Sequence, residues 1–165
     1  MTERIPQSWD FAGFDGLAFA RLLFGEEVAQ IAAYQSLETR WRGTSCSLLR
    51  LSENNYRVSL HETEEASAGA LHAAAAGLQV WVKPSRLAVL LLGEDALERL
   101  LLITTVKPPH RLAGLGQNRA VPARISGSAA LVWRHPVGGV PAVEIQSASD
   151  DMGAISGAIC NAISV

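Results

Sequence analysis

Apolar residues at Leu17, Phe24, Val28 and Ile31 recur at helical steps, with Phe19, Leu22 and Leu23 widening the stripe. This spacing predicts a helix that begins near Gly16, with Asp15 as its cap. Gly25 is a weak point in that helix. Glu26 and Glu27 suit the start of a second helical piece, because acids are favoured at a helix N-terminus. Residues 1–13 read as an irregular lead-in.

From Ser36 the period changes to two. Leu37, Thr39 and Trp41 alternate with Glu38, Arg40 and Arg42, and Tyr56, Val58 and Leu60 alternate with Arg57, Ser59 and His61. Gly43 and the cluster Ser52-Glu53-Asn54-Asn55 supply turns. A three-stranded antiparallel meander follows. Leu48 and Leu49 are consecutive and break strict alternation, so a bulge or burial on both sides is expected there. Thr63-Glu64-Glu65 opens an alanine-rich helix that stops at Gly77.

Beyond it, Leu78, Val80 and Val82 share a face opposite Trp81 and Lys83, and Leu87–Leu92 reads as a strand buried on both faces. Leu97–Val106 reads as a further strand, with a short helix at Asp95–Leu101 as the competing assignment. Pro108-Pro109 ends that element, and 107–122 reads as a long loop, a kind of segment that is often functional. Arg124–His135 and Val140–Gln146 form a hairpin across Pro136-Val137-Gly138-Gly139. Met152, Ile155, Ile159 and Ile163 mark a last helix capped by Ser149 or Asp150.

These elements predict one α+β domain over 1–165: a single antiparallel sheet of about seven or eight strands, with helices mainly on one face. The 107–122 loop is the one candidate linker. The early order, helix, three strands, helix, two strands, is similar to that of small bacterial secretion chaperones. The final hairpin and helix exceed that pattern.

Hydrophobic residues make up 48% of the 165-residue chain and charged residues 18%, enough apolar material for a packed core and too much for a disordered chain. Arginine dominates the basic residues, with only Lys83 and Lys107 as lysines, a bias that suggests a bacterial source. No secretory signal is read at the N-terminus, and the longest aliphatic run, Leu87–Leu92, is far short of the roughly 20 residues a spanning helix needs. A cytoplasmic protein with no membrane partner is expected. Its Cys46 and Cys160 are expected to be reduced, buried thiols.

Catalytic and cofactor motifs are missing from the sequence. There is no phosphate-binding loop, no His-Glu-x-x-His, no Cys-x-x-Cys and no Gly-x-Ser-x-Gly. Gly114-Leu115-Gly116 lacks the third glycine of a dinucleotide fingerprint. No cofactor and no metal are expected. His61-Glu62 are adjacent on a strand and point to opposite faces, and His72 reads as a packing residue.

Charge supplies the functional candidates. Residues 99–143 carry no acid but contain Arg99, Lys107, Arg111, Arg119, Arg124 and Arg134, a local charge of +6 inside a chain of net charge −2. These cations either disperse over the surface, converge on an anion, or face an acidic partner. In the second case Arg111, Arg119, Arg124 and His110 bind the ligand, since guanidinium matches carboxylate or phosphate bidentately. His110, His135 and Glu144 are then the proton-transfer candidates. In the third case Trp81 and Arg134 contact a protein with an acidic face, or a second copy in a homodimer. Trp133 is the one aromatic residue in the window, too little for a base-stacking platform, so no nucleic-acid partner is expected. Two functions follow: a non-enzymatic, chaperone-like accessory protein that binds a partner, or a small enzyme or carrier holding an anionic molecule between sheet and helices.

Overall fold

The computed structural model describes residues 6–163. Among the described residues ten strands form two antiparallel five-stranded sheets, each in its own compact unit, 1–85 and 86–165. The single sheet of seven or eight strands is therefore corrected. Alternation shows that a segment is a strand, but not which neighbour accepts its hydrogen bonds, and the chain changes sheet after Pro84.

In the first unit β1 (Gln7–Ala12), β2 (Ser36–Trp41), β3 (Thr44–Ser52), β4 (Asn55–Leu60) and β5 (Trp81–Pro84) stand in the order β2-β3-β4-β1-β5. The predicted meander is β2–β4. The stretch expected to be an irregular lead-in instead holds β1, inserted between β4 and β5. Its Trp9 and Phe11 alternate with Ser8 and Asp10, and Asp10 looks like a surface residue until Arg57 is found opposite it. Arg57 donates to both Asp10 carboxylate oxygens, at 2.6 and 3.0 Å. Leu48 and Leu49 are both fully buried, and the register shift lies slightly further on, between Arg50 and Ser52.

Helix α1 (Gly16–Phe24) ends at Gly25, whose φ of 93° precedes a short 3-10 helix, Glu26–Gln30. Asp15 does not cap α1 with its side chain; Oδ2 instead accepts from the Gln79 amide at 2.7 Å. Gly16 is required by contact, since a Cβ there would lie 2.1 Å from the Asn54 carbonyl oxygen. Helix α2 (Glu64–Ala75) is capped by Thr63, whose hydroxyl accepts from Ala66 N at 3.2 Å. Helix and sheet side chains close over Trp9, Phe11, Phe19, Leu48, Tyr56 and Leu71, the centre of the first core.

The second unit contains β6 (Ala88–Gly93), β7 (Thr104–Thr105), β8 (Arg119–Ile125), β9 (Ser128–Val137) and β10 (Val140–Ser147), in the order β6-β10-β9-β8-β7. The competing helical assignment prevails at α3 (Ala96–Leu100), and only Thr104–Thr105 remains of the strand expected there. The strand expected over Arg124–His135 is two strands. Ser126 and Gly127 both have positive φ, 50° and 82°, which folds β8 back against β9. Gly138 and Gly139, at 59° and 80°, turn β9 into β10.

One face of this sheet carries Val121, Ile125, Val132, Val143 and Ile145, packed with Leu100, Leu112, Leu115, Ile155 and Ile159. The last two project from α4 (Ser149–Ile163). Segment 106–118 lies wholly inside the second unit as the irregular approach to β8, and Pro108-Pro109 within it is cis. Two five-stranded sheets, with β1 inserted between β4 and β5 of the first, do not follow the chaperone order.

Candidate functional site

Strand alternation places Ala120, Pro122 and Arg124 of β8 on the sheet face away from Val121 and Ile125. On β9 the same face holds Ala129, Leu131, Trp133 and His135, and on β10 it holds Ala142, Glu144 and Gln146. This face carries two distinct groups of polar side chains.

The first is buried. Glu144 is the cross-strand partner of Trp133, one diagonal step from His135. His135 Nε2 lies 2.8 Å from Glu144 Oε2, and Gln146 Nε2 donates to Glu144 Oε1 at 2.6 Å. Trp133 stacks on His135, with ring centroids 3.6 Å apart and planes within 14°. His135 is 1% exposed and Glu144 0%. Two of the three proton-transfer candidates therefore meet, in a closed polar cluster sealed by an indole.

The second group is open. Register aligns Thr105, Arg124 and Ala129 in one row across β7, β8 and β9. Small neighbours on both sides of Arg124 leave a hollow of about 280 Å³, lined by Thr105, Lys107, His110, Pro122, Ala123, Arg124 and Ala129. A turn closed by His110 N donating to Lys107 O at 3.1 Å brings the lysine and histidine to its rim. Arg124 Nη1 donates to Gly127 O at 2.9 Å, which steadies the guanidinium.

The remaining cations go elsewhere. Arg134 donates to Glu94 Oε1 at 2.9 Å and to Leu115 O at 2.7 Å, and Gln117 also reaches Glu94. A run without acids in sequence thus receives one from β6's end in space. Arg99 donates to Ile163 O at 2.7 Å. Arg111 and Arg119 are exposed and do not line the hollow. In the first unit Trp81 is 48% exposed, with Lys83 Nζ 4.9 Å from its ring centroid.

Sequence reasoning missed Lys107 and Thr105 as lining residues, and Trp133 and Gln146 as members of the buried cluster. The second pair was readable: counting back from Gly138-Gly139 as the turn sets Glu144 opposite Trp133.

The two cysteines differ. Cys46 is buried, and desolvation, reinforced by the Glu38 carboxylate, pushes its thiol up to about 12. Cys160 is exposed on α4, which corrects the expectation of two buried thiols. Because the thiolate is the nucleophile, iodoacetamide at about pH 8 should alkylate Cys160 in the native protein. Cys46 should react only after unfolding, and intact-mass spectrometry will distinguish one adduct from two.

Among the described residues, no cluster of three or more His, Cys, Asp or Glu side chains is arranged to hold a metal ion. No helix there is long and apolar enough to cross a membrane.

No family model and no curated protein matches the sequence. Solved structures of similar fold include the following two. The glycine cleavage system aminomethyltransferase T from Bartonella henselae matches over 93% of this chain, with TM-score 0.74 and 16% identity. This chain spans only 42% of that protein's length. A chain of the heterotetrameric sarcosine oxidase from Corynebacterium sp. U-96, solved in complex with pyrrole 2-carboxylate, matches over 97% of this chain and 80% of its own, with TM-score 0.69 and 17% identity. The neighbours are thus enzyme-related rather than chaperone-like.

Proposed function

We propose that this chain is an accessory subunit of a multi-chain oxidase of the kind that heterotetrameric sarcosine oxidase represents. It acts by docking on the catalytic chains and does not itself carry the reaction. The supporting observation is a likeness that covers 97% of this chain and 80% of the oxidase chain. The aminomethyltransferase, by contrast, is more than twice as long as this chain, which spans 42% of it.

Exposed apolar side chains supply docking material. Phe14 is 82% exposed and Leu22 64%, and Ala18, one turn before Leu22 on α1, is exposed with them. Leu102 and Val140 are comparably open in the second unit. Large aromatic and aliphatic side chains left in water are the usual anchors of a protein contact. In the second unit the exposed cations Arg111 and Arg119 suit an acidic patch on a partner.

The test is affinity purification of the tagged chain from its own host, at low salt and at about 0.5 M salt, where rim charges are screened. An oxidase polypeptide should co-purify, and the eluate should consume oxygen when sarcosine is added. Phe14→Ser with Leu22→Ser should cut partner recovery by about tenfold or more, the loss expected when a hot spot is removed. Recovery of the chain alone, or only as a homodimer by light scattering, would overturn the proposal.

A further inference from the structure

We propose that the hollow beside β7 and β8 is a binding site for a small organic carboxylate, with Lys107, His110 and Arg124 at its rim and Pro122 and Ala129 as its apolar floor. The site is separate from the docking function above and is measured on the isolated chain, so either proposal can fail without the other.

Three observations carry it. The first is convergence. Lys107 and His110 come from the segment before β8 and Arg124 from β8 itself, yet all three border one cavity of about 280 Å³. The second is sign. No acidic side chain lines the cavity, and the chain places none between Glu98 and Glu144. Among the described residues neither Lys107 nor Arg124 is in an ion pair, whereas the nearby Arg134 is answered by Glu94. The third is shape. Arg124 stands in a row with Thr105 and Ala129, small side chains that leave the space over the guanidinium empty.

Chemistry selects the ligand. An arginine steadied through Nη1 on the Gly127 carbonyl keeps further N–H groups for a planar anion. Lys107 adds a point charge, and Thr105 supplies a hydroxyl that can donate or accept. Pro122 and Ala129 offer no polar side-chain atom, so they favour an anion with an apolar body over a bare, strongly hydrated oxyanion. The volume accommodates a single ring or a short chain, at the small end of ligand cavities.

The experiment is titration of the isotope-labelled full chain with benzoate, followed by amide shifts in two-dimensional NMR, with inorganic phosphate as a second arm. Saturable shifts should centre on Thr105, Lys107, His110, Arg124 and Ala129, with benzoate binding more tightly than phosphate. The double variant Lys107→Gln, Arg124→Gln should weaken benzoate by about tenfold or more, the scale of losing charge-assisted bonds. Ala129→Leu fills the hollow without changing charge and should weaken it comparably. Arg40→Gln, which also removes a cation but one that does not line the hollow, should stay within about twofold, since a solvent-screened charge outside the site contributes little. The proposal is overturned by shifts that do not saturate, by equal weakening in Arg40→Gln, or by phosphate binding as tightly as benzoate. The amide spectrum of each variant reports directly whether it is folded.

Discussion

Glu144→Ala should destabilise the protein by about 2–6 kcal/mol, because its buried carboxyl group is the hydrogen-bond partner of two buried side chains and each such bond lost costs roughly 1–3 kcal/mol. Glu144 is fully buried and serves two partners at once, His135 at 2.8 Å and Gln146 at 2.6 Å. Alanine would take that partner away from both in a space closed to water. Trp133 stacked on His135 limits how far the imidazole can turn to find another acceptor. Glu144→Gln keeps the shape and one oxygen acceptor, so it should lose markedly less. Urea unfolding at constant pH measures both. In a double-mutant cycle with His135→Ala, the two losses should fall short of additivity by about 0.5–3 kcal/mol, as for side chains in direct contact. A Glu144→Ala protein within about 0.5 kcal/mol of the parent would show that the cluster contributes nothing to the fold.

Phe11→Ala should cost about 3–5 kcal/mol, the range for truncating a core aromatic. Phe11 is fully buried, meets Phe19 edge-on at 4.9 Å and stacks on Tyr56 at 5.3 Å. It lies on β1, between Tyr56 of β4 and Val82 of β5, so its removal opens the first core where both neighbouring strands meet it. Surface truncation gives the contrast. Leu22→Ala, on the exposed face of α1, should stay within about 0.5 kcal/mol, although Leu22 is one of the proposed docking side chains. Fluorescence-monitored urea unfolding separates the two cases. A loss below about 1 kcal/mol for Phe11→Ala would mean that the cavity collapses without cost, contrary to ordinary core behaviour.

The candidate sites were only partly legible. His110 and Arg124 were named from the charge map and do border one cavity, while Arg111 and Arg119, equal to them in sequence, lie outside it. What separates them is register: Arg124 falls in a row of small side chains across three strands. Arg134 shows the reverse failure. Its neighbours in sequence hold no acid, but Glu94 reaches it across 40 positions.

Local chemistry alone determined the break of α1 at Gly25, the β2–β4 meander, the Thr63 cap and the glycine turn into β10. Each depends on side-chain spacing or on a backbone conformation set within a few residues. The tertiary structure decided that β1 is a strand, that the strands divide into two sheets, and which polar residues meet. Asp10 becomes a core-edge residue only when Arg57 stands opposite, and Glu144 becomes tolerable in a dry interior only when His135 and Gln146 surround it. Hydrogen-bond partners and compensating charges come from distant parts of the chain, and a periodicity of two or of 3.6 carries no information about them.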